Sequence, residues 1–422
     1  MFAFDSIPIA SLELGGLNIP LAEEDRAIAE TLHSFAAKVM RPLGRKLDLM
    51  SAEEVAAPDS PLFDFLEQFR ELGFGPESMV DLTPQQQARL FPIIHGTLGW
   101  GDAGLAILTA ATSFPAFAAH QTGNPELIER FGTKIGCWIG TQPDRGSDTI
   151  DLLGTELKPG SRHDKPNLMA RISNDKIILT GQTAAWVSGG PIAECGIAYV
   201  PADFGDGLYG EDGLMRGAVM FIPFDEKGVS KGRPLEKLGQ RPLPQGGIFF
   251  DEVQLPLSYL LSDNTGFNGH SFGAFTFANM DMACVFAGLA RAAFDLALEY
   301  VHERRQGGAC LIEHQNVRHR VFELWRKVET AGAIAQRACD FNFLGNPHML
   351  ASATAKVVVT DSAFEVAHEA LGLLGGNGLT KEYPMEKLLR DARAALVEDG
   401  ENTILGLISA GHISNWYRRQ HD

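Results

Sequence analysis

The chain has 422 residues, too many for one hydrophobic core and enough for two or three domains. Its 45% hydrophobic and 21% charged residues are ordinary for a globular protein. A formal net charge of -17 argues against nucleic acid or an anionic membrane surface as a partner, although a local basic groove still admits an anionic substrate.

In chain order, helices come first. From Glu23 to Met40 apolar residues recur at helical spacing, with Ile28, Leu32, Phe35 and Val39 on one face, and Pro42 is expected to end the helix. Leu62 to Phe69 reads as a second helix stopping near Gly73, and Gln87 to Leu98 as a third. Between about 134 and 256 glycine and proline become frequent, and short β-rich runs appear at Lys176–Thr180, Gly196–Val200, Ala218–Ile222 and Gly247–Phe250. From about Gly266 long amphipathic patterns return. Val285, Leu289, Ala292, Leu296 and Tyr300 form one stripe, and Val357, Phe364, Leu371 and Leu374 another. The expected fold is α+β and multidomain: an N-terminal helical domain over 1–133, a β-barrel-like domain over 134–256, and a C-terminal four-helix bundle over 257–422.

The five cysteines are scattered, without a C-x-x-C, which reads as reduced and mostly buried thiols in a cytoplasmic protein. The start lacks the basic flank and long apolar run of a secretory signal. No uninterrupted apolar stretch approaches the ~20 residues of a membrane span. The twelve histidines form no H-x-x-x-H or H-E-x-x-H, so no metal site is expected. There is no P-loop and no G-x-S-x-G.

Four segments carry groups suited to chemistry. Thr141–Asp148 offers hydroxyls and backbone N–H groups in a Pro/Gly-shaped turn, the plain alternative being a surface turn. In Thr180–Gly190 a tryptophan among small residues is fit to stack on a planar ligand, or to plug a barrel end. Leu371–Gly378 is either a glycine C-cap or a place where backbone approaches a ligand. In Arg390–Leu405, Glu398, Asp399 and Glu401 crowd a turn before an apolar helix, as a general base or as helix-start electrostatics with Asn402 or Thr403 as cap.

Together and in order, these segments resemble the acyl-CoA dehydrogenase family over nearly the whole chain. "TQPDRGSD" is similar to T-E-P-x-x-G-S-D, and "GQTAAWVSGG" to G-x-K-x-W-I-x-N-G with one extra residue before Trp186. "LGQRPLPQGGIFFDEVQLP" resembles G-x-R-x-S-x-x-x-x-x-F-x-x-V-x-V-P. "ERRQGGACLIEHQ" resembles E-R-x-x-F-G-x-x-x-x-x-x-Q, and "LLGGNGLTKEYPMEKLLRDAR" resembles G-G-x-G-x-x-x-x-Y-P-x-E-x-x-x-R-D. The resemblance implies FAD between the β-domain and the bundle, in a homotetramer or homodimer whose neighbouring subunit completes each site. It implies that Thr141 and Ser147 contact the isoalloxazine side or substrate, and that Trp186 and Ser188 line the flavin. Arg304 and Gln315 would bind the adenine half from the partner, and Gly375, Gly376 and Gly378 would let backbone approach the pyrophosphate.

The implied chemistry is α,β-desaturation of an acyl-CoA thioester. A carboxylate takes the α-proton, the β-hydride goes to flavin N5, and an electron-transfer flavoprotein or oxygen is the final acceptor. Counting nine residues from Arg390 puts the base at Asp399, with Glu398 one residue away. The alternative base position, on the first long helix of the bundle, is Ala278. Three departures bear on the substrate. The CoA-holding D-x-x-R appears as Thr276 and Asn279, the Phe after E-R-x-x is Gly307, and the Gln before G-G-x-G is Gly372. Two other readings keep the fold: a flavin oxidase or monooxygenase on a non-CoA substrate, as in nitroalkane oxidases, and a non-catalytic FAD-bearing binding protein.

Overall fold

The computed structural model describes residues 21–74, 78, 80–152 and 165–421. The helical run that begins as α1 (Glu23–Phe35) does not stop at Pro42. It passes through one π-helical turn, Ala36–Met40, into α2 (Arg41–Asp48). Pro42 sits in the first turn of α2, where its missing N–H costs little and the wider π turn ahead accommodates its ring. Helices α3 (Ala52–Ala56), α4 (Pro61–Glu71), α5 (Pro84–Gly101), α6 (Ala103–Thr122) and α7 (Pro125–Phe131) follow.

The expected β runs are all strands. They fall in β3, β4, β5 and β7 of the eight described strands of this region: β1 (Trp138–Ile139), β2 (Leu168–Ile172), β3 (Lys176–Gln182), β4 (Cys195–Asp203), β5 (Gly217–Pro223), β6 (Val229–Lys231), β7 (Ile248–Pro256) and β8 (Leu260–Ser262). They pair in the order β6-β7-β3-β2-β4-β5-β8, with β1 beside β4. The last strand carries the sheet past Pro256. Every residue of β5 is buried, because both faces of that strand are covered. Ala218, Met220 and Ile222 face the interior of the curled sheet, while Val219 and Phe221 face Ala118, Ala119, Leu127 and Phe131 of α6 and α7.

The C-terminal part consists of α8 (Asn264–Glu303), α9 (Gln315–Leu344), α10 (Met349–Leu374), α11 (Met385–Ala395) and α12 (Asn402–His421). Helix α5, from the N-terminal part, packs on α8 and α9 and shares their hydrophobic core. The approach is close because both surfaces carry glycine. A Cβ on Gly99 would lie 1.9 Å from the Val285 carbonyl oxygen, and one on Gly288 would lie 1.9 Å from that of Gly96. By length and composition α6 passes as a membrane span, yet most of it is covered by the protein itself. All five cysteines are free, and only Cys310 is not buried.

Candidate active site

The loop between α11 and α12 carries the acidic residues. It closes on itself where the Asn402 N–H donates to the Leu396 carbonyl at 3.1 Å. Reversing so sharply requires left-handed backbone at two consecutive residues, Asp399 (φ 47°) and Gly400 (φ 103°). A Cβ on Gly400 would also meet Ile150 Cδ1 at 2.6 Å, so glycine is required there on two counts. Glu401, not Asn402 or Thr403, caps α12: its carboxylate accepts from the Thr403 N–H at 2.9 Å and the Ile404 N–H at 3.2 Å. The Glu401 N–H donates to Ser147 Oγ at 3.0 Å, which ties the Thr141–Asp148 turn of the β region to this loop.

Glu398 and Asp399 are both half-buried, but they are held differently. Glu398 Oε2 accepts from Gln240 Nε2 at 2.8 Å. No described residue donates a hydrogen bond to the Asp399 carboxylate. Its backbone carbonyl accepts from Asn279 Nδ2 of α8 at 3.2 Å. Burial pushes the Asp399 carboxyl up to about 6, against the pull of the Lys356 ammonium and with a further push from Asp281. Burial likewise raises Glu398 to about 7, opposed by the Gln240 hydrogen bond and by Lys237. The loop thus presents two carboxyls that exchange protons near neutrality.

Gln240 links this loop to the β region. Its backbone also adopts positive φ, 50°, and its N–H donates to Asp391 Oδ1 at 2.5 Å. Asp391 and Asp102 flank the buried Lys387 ammonium at 2.5 and 2.6 Å, and their charges hold Lys387 protonated. This buried triad joins α6's N-cap, α11 and the Gln240 turn. Lys237 donates to the carbonyls of Gln240 (2.9 Å) and Leu243 (2.7 Å) and to Gln245 Oε1 (2.8 Å). Gln245 Nε2 in turn donates to Ser188 Oγ at 3.0 Å. One hydrogen-bonded wall therefore runs from Glu398 to the Trp186–Ser188 segment.

Trp186 is 61% exposed, a high value for an indole. It borders a cleft of about 490 Å³ lined also by Pro143, Gln182, Arg233 and Phe249. Thr141 is half-buried, and its carbonyl accepts from the Ala184 N–H at 2.9 Å, which sets the two expected flavin segments side by side. Arg304 and Gln315 are exposed at the far end of the bundle, where α8 ends and α9 begins. Gly375 and Gly376 lie at the same end, beyond α10, exposed and with open space where a Cβ would project. Gly378 differs from them: it is buried, and a Cβ there would meet the Leu371 carbonyl oxygen at 2.7 Å, so its lack of a side chain serves internal packing. No cluster of three potential metal ligands occurs among the described residues.

The family model "Acyl-CoA dehydrogenase, C-terminal domain" matches residues 266–413. The short-chain specific acyl-CoA dehydrogenase of Rattus norvegicus mitochondria is 24% identical over 412 residues, 95% of this chain and 92% of the rat protein. Residues 266–413 thus carry an acyl-CoA dehydrogenase C-terminal domain, and the chain as a whole is similar to acyl-CoA dehydrogenases. Among solved structures, butyryl-CoA dehydrogenase from Megasphaera elsdenii superposes with a TM-score of 0.79 at 21% identity, covering 94% of this chain and 100% of that one. PigA, solved with FAD and proline, has a TM-score of 0.77 at 19% identity, covering 94% and 99%. Both likenesses establish the acyl-CoA dehydrogenase fold.

Against the family pattern, the departures now have physical descriptions. Thr276 and Asn279 are turned inward: Thr276 Oγ1 donates to the Phe272 carbonyl and Asn279 Nδ2 to that of Phe275. Gly307 occupies a left-handed turn (φ 64°) that disfavours the aromatic residue the family places there. At Gly372 a Cβ would lie 3.0 Å from Arg320 Nη2, so the space of the family glutamine is taken by a guanidinium from α9. The residues that sequence reasoning missed are Gln240, Lys237, Asp281 and Lys356.

Proposed function

We propose that this chain is an FAD-dependent acyl-CoA dehydrogenase in which Asp399 is the base that removes the α-proton of an acyl-CoA thioester. The observation that carries the reading is the Asp399 carboxylate itself. It is half-buried, raised to about 6, and engaged by no described donor, whereas Glu398 is held by Gln240. An α-C–H beside a thioester is a weak acid, so its base must be ionised near neutral pH and still hold protons strongly. A carboxylate raised to about 6 meets both demands.

The residues present fit FAD. An exposed indole, the hydroxyls of Thr141 and Ser188, and the open backbone of Gly375 and Gly376 suit a planar ring joined to a pyrophosphate. When bound, FAD supplies the acceptor for the β-hydride at N5. This chain's part is to seat the ring against Trp186 and Ser188, hold Asp399 at the α-carbon, and exclude water so that charge developing on the thioester oxygen meets fixed donors.

One chain does not hold both halves of such a site. Asn279 touches the Asp399 loop and Arg304 ends the same helix, 25 residues on (304 − 279). That is ~37 Å of helix at 1.5 Å per residue, beyond the reach of one dinucleotide. A homodimer or homotetramer in which a neighbour brings Arg304, Gln315 and the Gly375–Gly376 turn to each flavin resolves this. We further place the chain in the cytoplasm and in fatty acid metabolism, with an electron-transfer flavoprotein or oxygen as acceptor.

Anaerobic mixing with a panel of acyl-CoAs tests the proposal: the visible flavin absorbance bleaches with at least one thioester, and no bleaching by any of them overturns it. A second reading, the same chemistry on a CoA-free carbon acid, is favoured by the inward-turned Thr276 and Asn279, which leave that part of α8 without a charged clamp for CoA. Bleaching by a nitroalkane and by no acyl-CoA would select it.

A further inference from the structure

Lys356 is fully buried in α10, on a helix face otherwise built from Ser352, Ala353, Ala355, Val359 and Thr360. An ammonium so placed costs free energy unless it is hydrogen-bonded and opposed by negative charge. Its partners are not random neighbours. Lys356 Nζ donates to the Gly400 carbonyl at 2.8 Å and to Asn402 Oδ1 at 2.7 Å. Gly400 follows the proposed base directly, and Asn402 closes the loop onto the Leu396 carbonyl. The Asn402 amide is fixed from its other side, donating to Thr360 Oγ1 (3.1 Å) and Asp361 Oδ1 (2.9 Å).

We propose that Lys356 is a positioning residue of the reaction: its buried ammonium clamps the Gly400 carbonyl and the Asn402 side chain and so fixes the left-handed turn that presents the Asp399 carboxylate. The role rests on the reading of Asp399 as base, and Lys356 acts through the loop rather than on substrate. Its charge has a second effect. Asp399, Glu398 and Glu401 face it from the loop and Asp361 from α10, all favouring the ammonium against burial. From α8, Asp281 acts on Asp399 in the opposite sense. Asp281 is itself paired with His95 of α5. The proton affinity of the base is therefore set between a cation beneath the loop and the buried Asp281 carboxylate of α8.

The test uses the FAD-loaded protein and measures the rate of anaerobic flavin bleaching by acyl-CoA across pH. Lys356→Gln keeps an amide donor without the charge. It is expected to retain FAD, to bleach roughly 10- to 100-fold more slowly, and to move the acid limb of the rate profile upward by about one pH unit. Lys356→Arg restores the limb, and Asp281→Asn moves it downward. A wild-type rate and limb in Lys356→Gln would overturn the proposal, as would shifts of the same sign in Lys356→Gln and Asp281→Asn. If wild-type protein is bleached by no acyl-CoA, the base assignment fails first. The clamp is then decided by amide hydrogen exchange over residues 397–403, where unchanged protection in Lys356→Gln refutes it and selective loss of protection supports it.

Discussion

At the scale of single residues, two adjacent carboxyls have been given different work by their surroundings. Gln240 holds Glu398 in place, while Asp399 has no described donor and stands on a turn that only glycine or a small polar residue adopts readily. Asp399→Asn should abolish flavin bleaching while Glu398→Gln keeps it, with single-turnover rates as the measurement; full activity in Asp399→Asn would remove it as base. Both pKa values are raised, so the protonated carboxyls favour the folded state at low pH, and stability falls as pH climbs from about 4, where these groups titrate in the unfolded chain, to about 6 to 7. Activity runs the other way, because only the carboxylate accepts a proton. Thermal midpoint and bleaching rate should therefore move in opposite directions across that window, and this fall of the midpoint with pH should disappear in a Glu398→Gln/Asp399→Asn double variant. At the next residue, Gly400→Ala meets both a positive φ and Ile150, and is expected to cost about 1–3 kcal/mol in denaturant unfolding.

At the scale of elements, the crossing of α5 and α8 leaves no room for a side chain on either helix. Carbonyls at Gly96 and Val285 occupy the space of the missing side chains at Gly288 and Gly99. Gly288→Ala must push the helices apart, with an expected loss of about 1–3 kcal/mol or more in urea unfolding. It should also separate His95 from Asp281, since each helix supplies one of them. How far such elements can be read from sequence depends on what reports them. Strands β3, β4, β5 and β7 are marked by β-rich runs between turns, and α8 by its apolar stripe. Helix α6 is missed because it is apolar on nearly all sides: covered by α5, α7 and the sheet, it has no polar face to set a period. Pro42 misleads because the π turn before it is a tertiary accommodation with no local signature. Asp399 is legible from its distance to Arg390, whereas Gln240 and Lys356 are not. Gln240 reaches Glu398 across 158 positions, and a lysine on an interior helix face reads as a solvated residue. The spacing of Ser352, Lys356 and Thr360, each four apart along one line of α10, is the one local hint that a polar track runs through that core.

At the scale of the whole molecule, the three parts meet around the acidic loop. Ser147 brings the β region, the Lys387–Asp102–Asp391 triad brings the first helices, and Asn279 and Lys356 bring the bundle. In the proposed site, what this arrangement lacks within one chain is the far half of the cofactor seat, since Arg304 and the open glycine turn lie at the other end of α8 and α10. A shared site makes a sharp prediction. Asp399→Asn and Arg304→Ala proteins are each expected to be impaired, the first in bleaching and the second in FAD affinity. In a co-expressed hybrid, the Asp399-bearing chain of one type sits opposite the Arg304-bearing chain of the other, and that pairing rebuilds one intact site while ruining its twin. Random pairing then gives roughly a quarter of the wild-type sites, measurable as bleachable flavin per chain at limiting FAD. A strictly single-chain site gives none, because neither parent contributes a complete set of residues, so the presence or absence of that recovered fraction decides whether the bundle's far end serves its own chain or its neighbour.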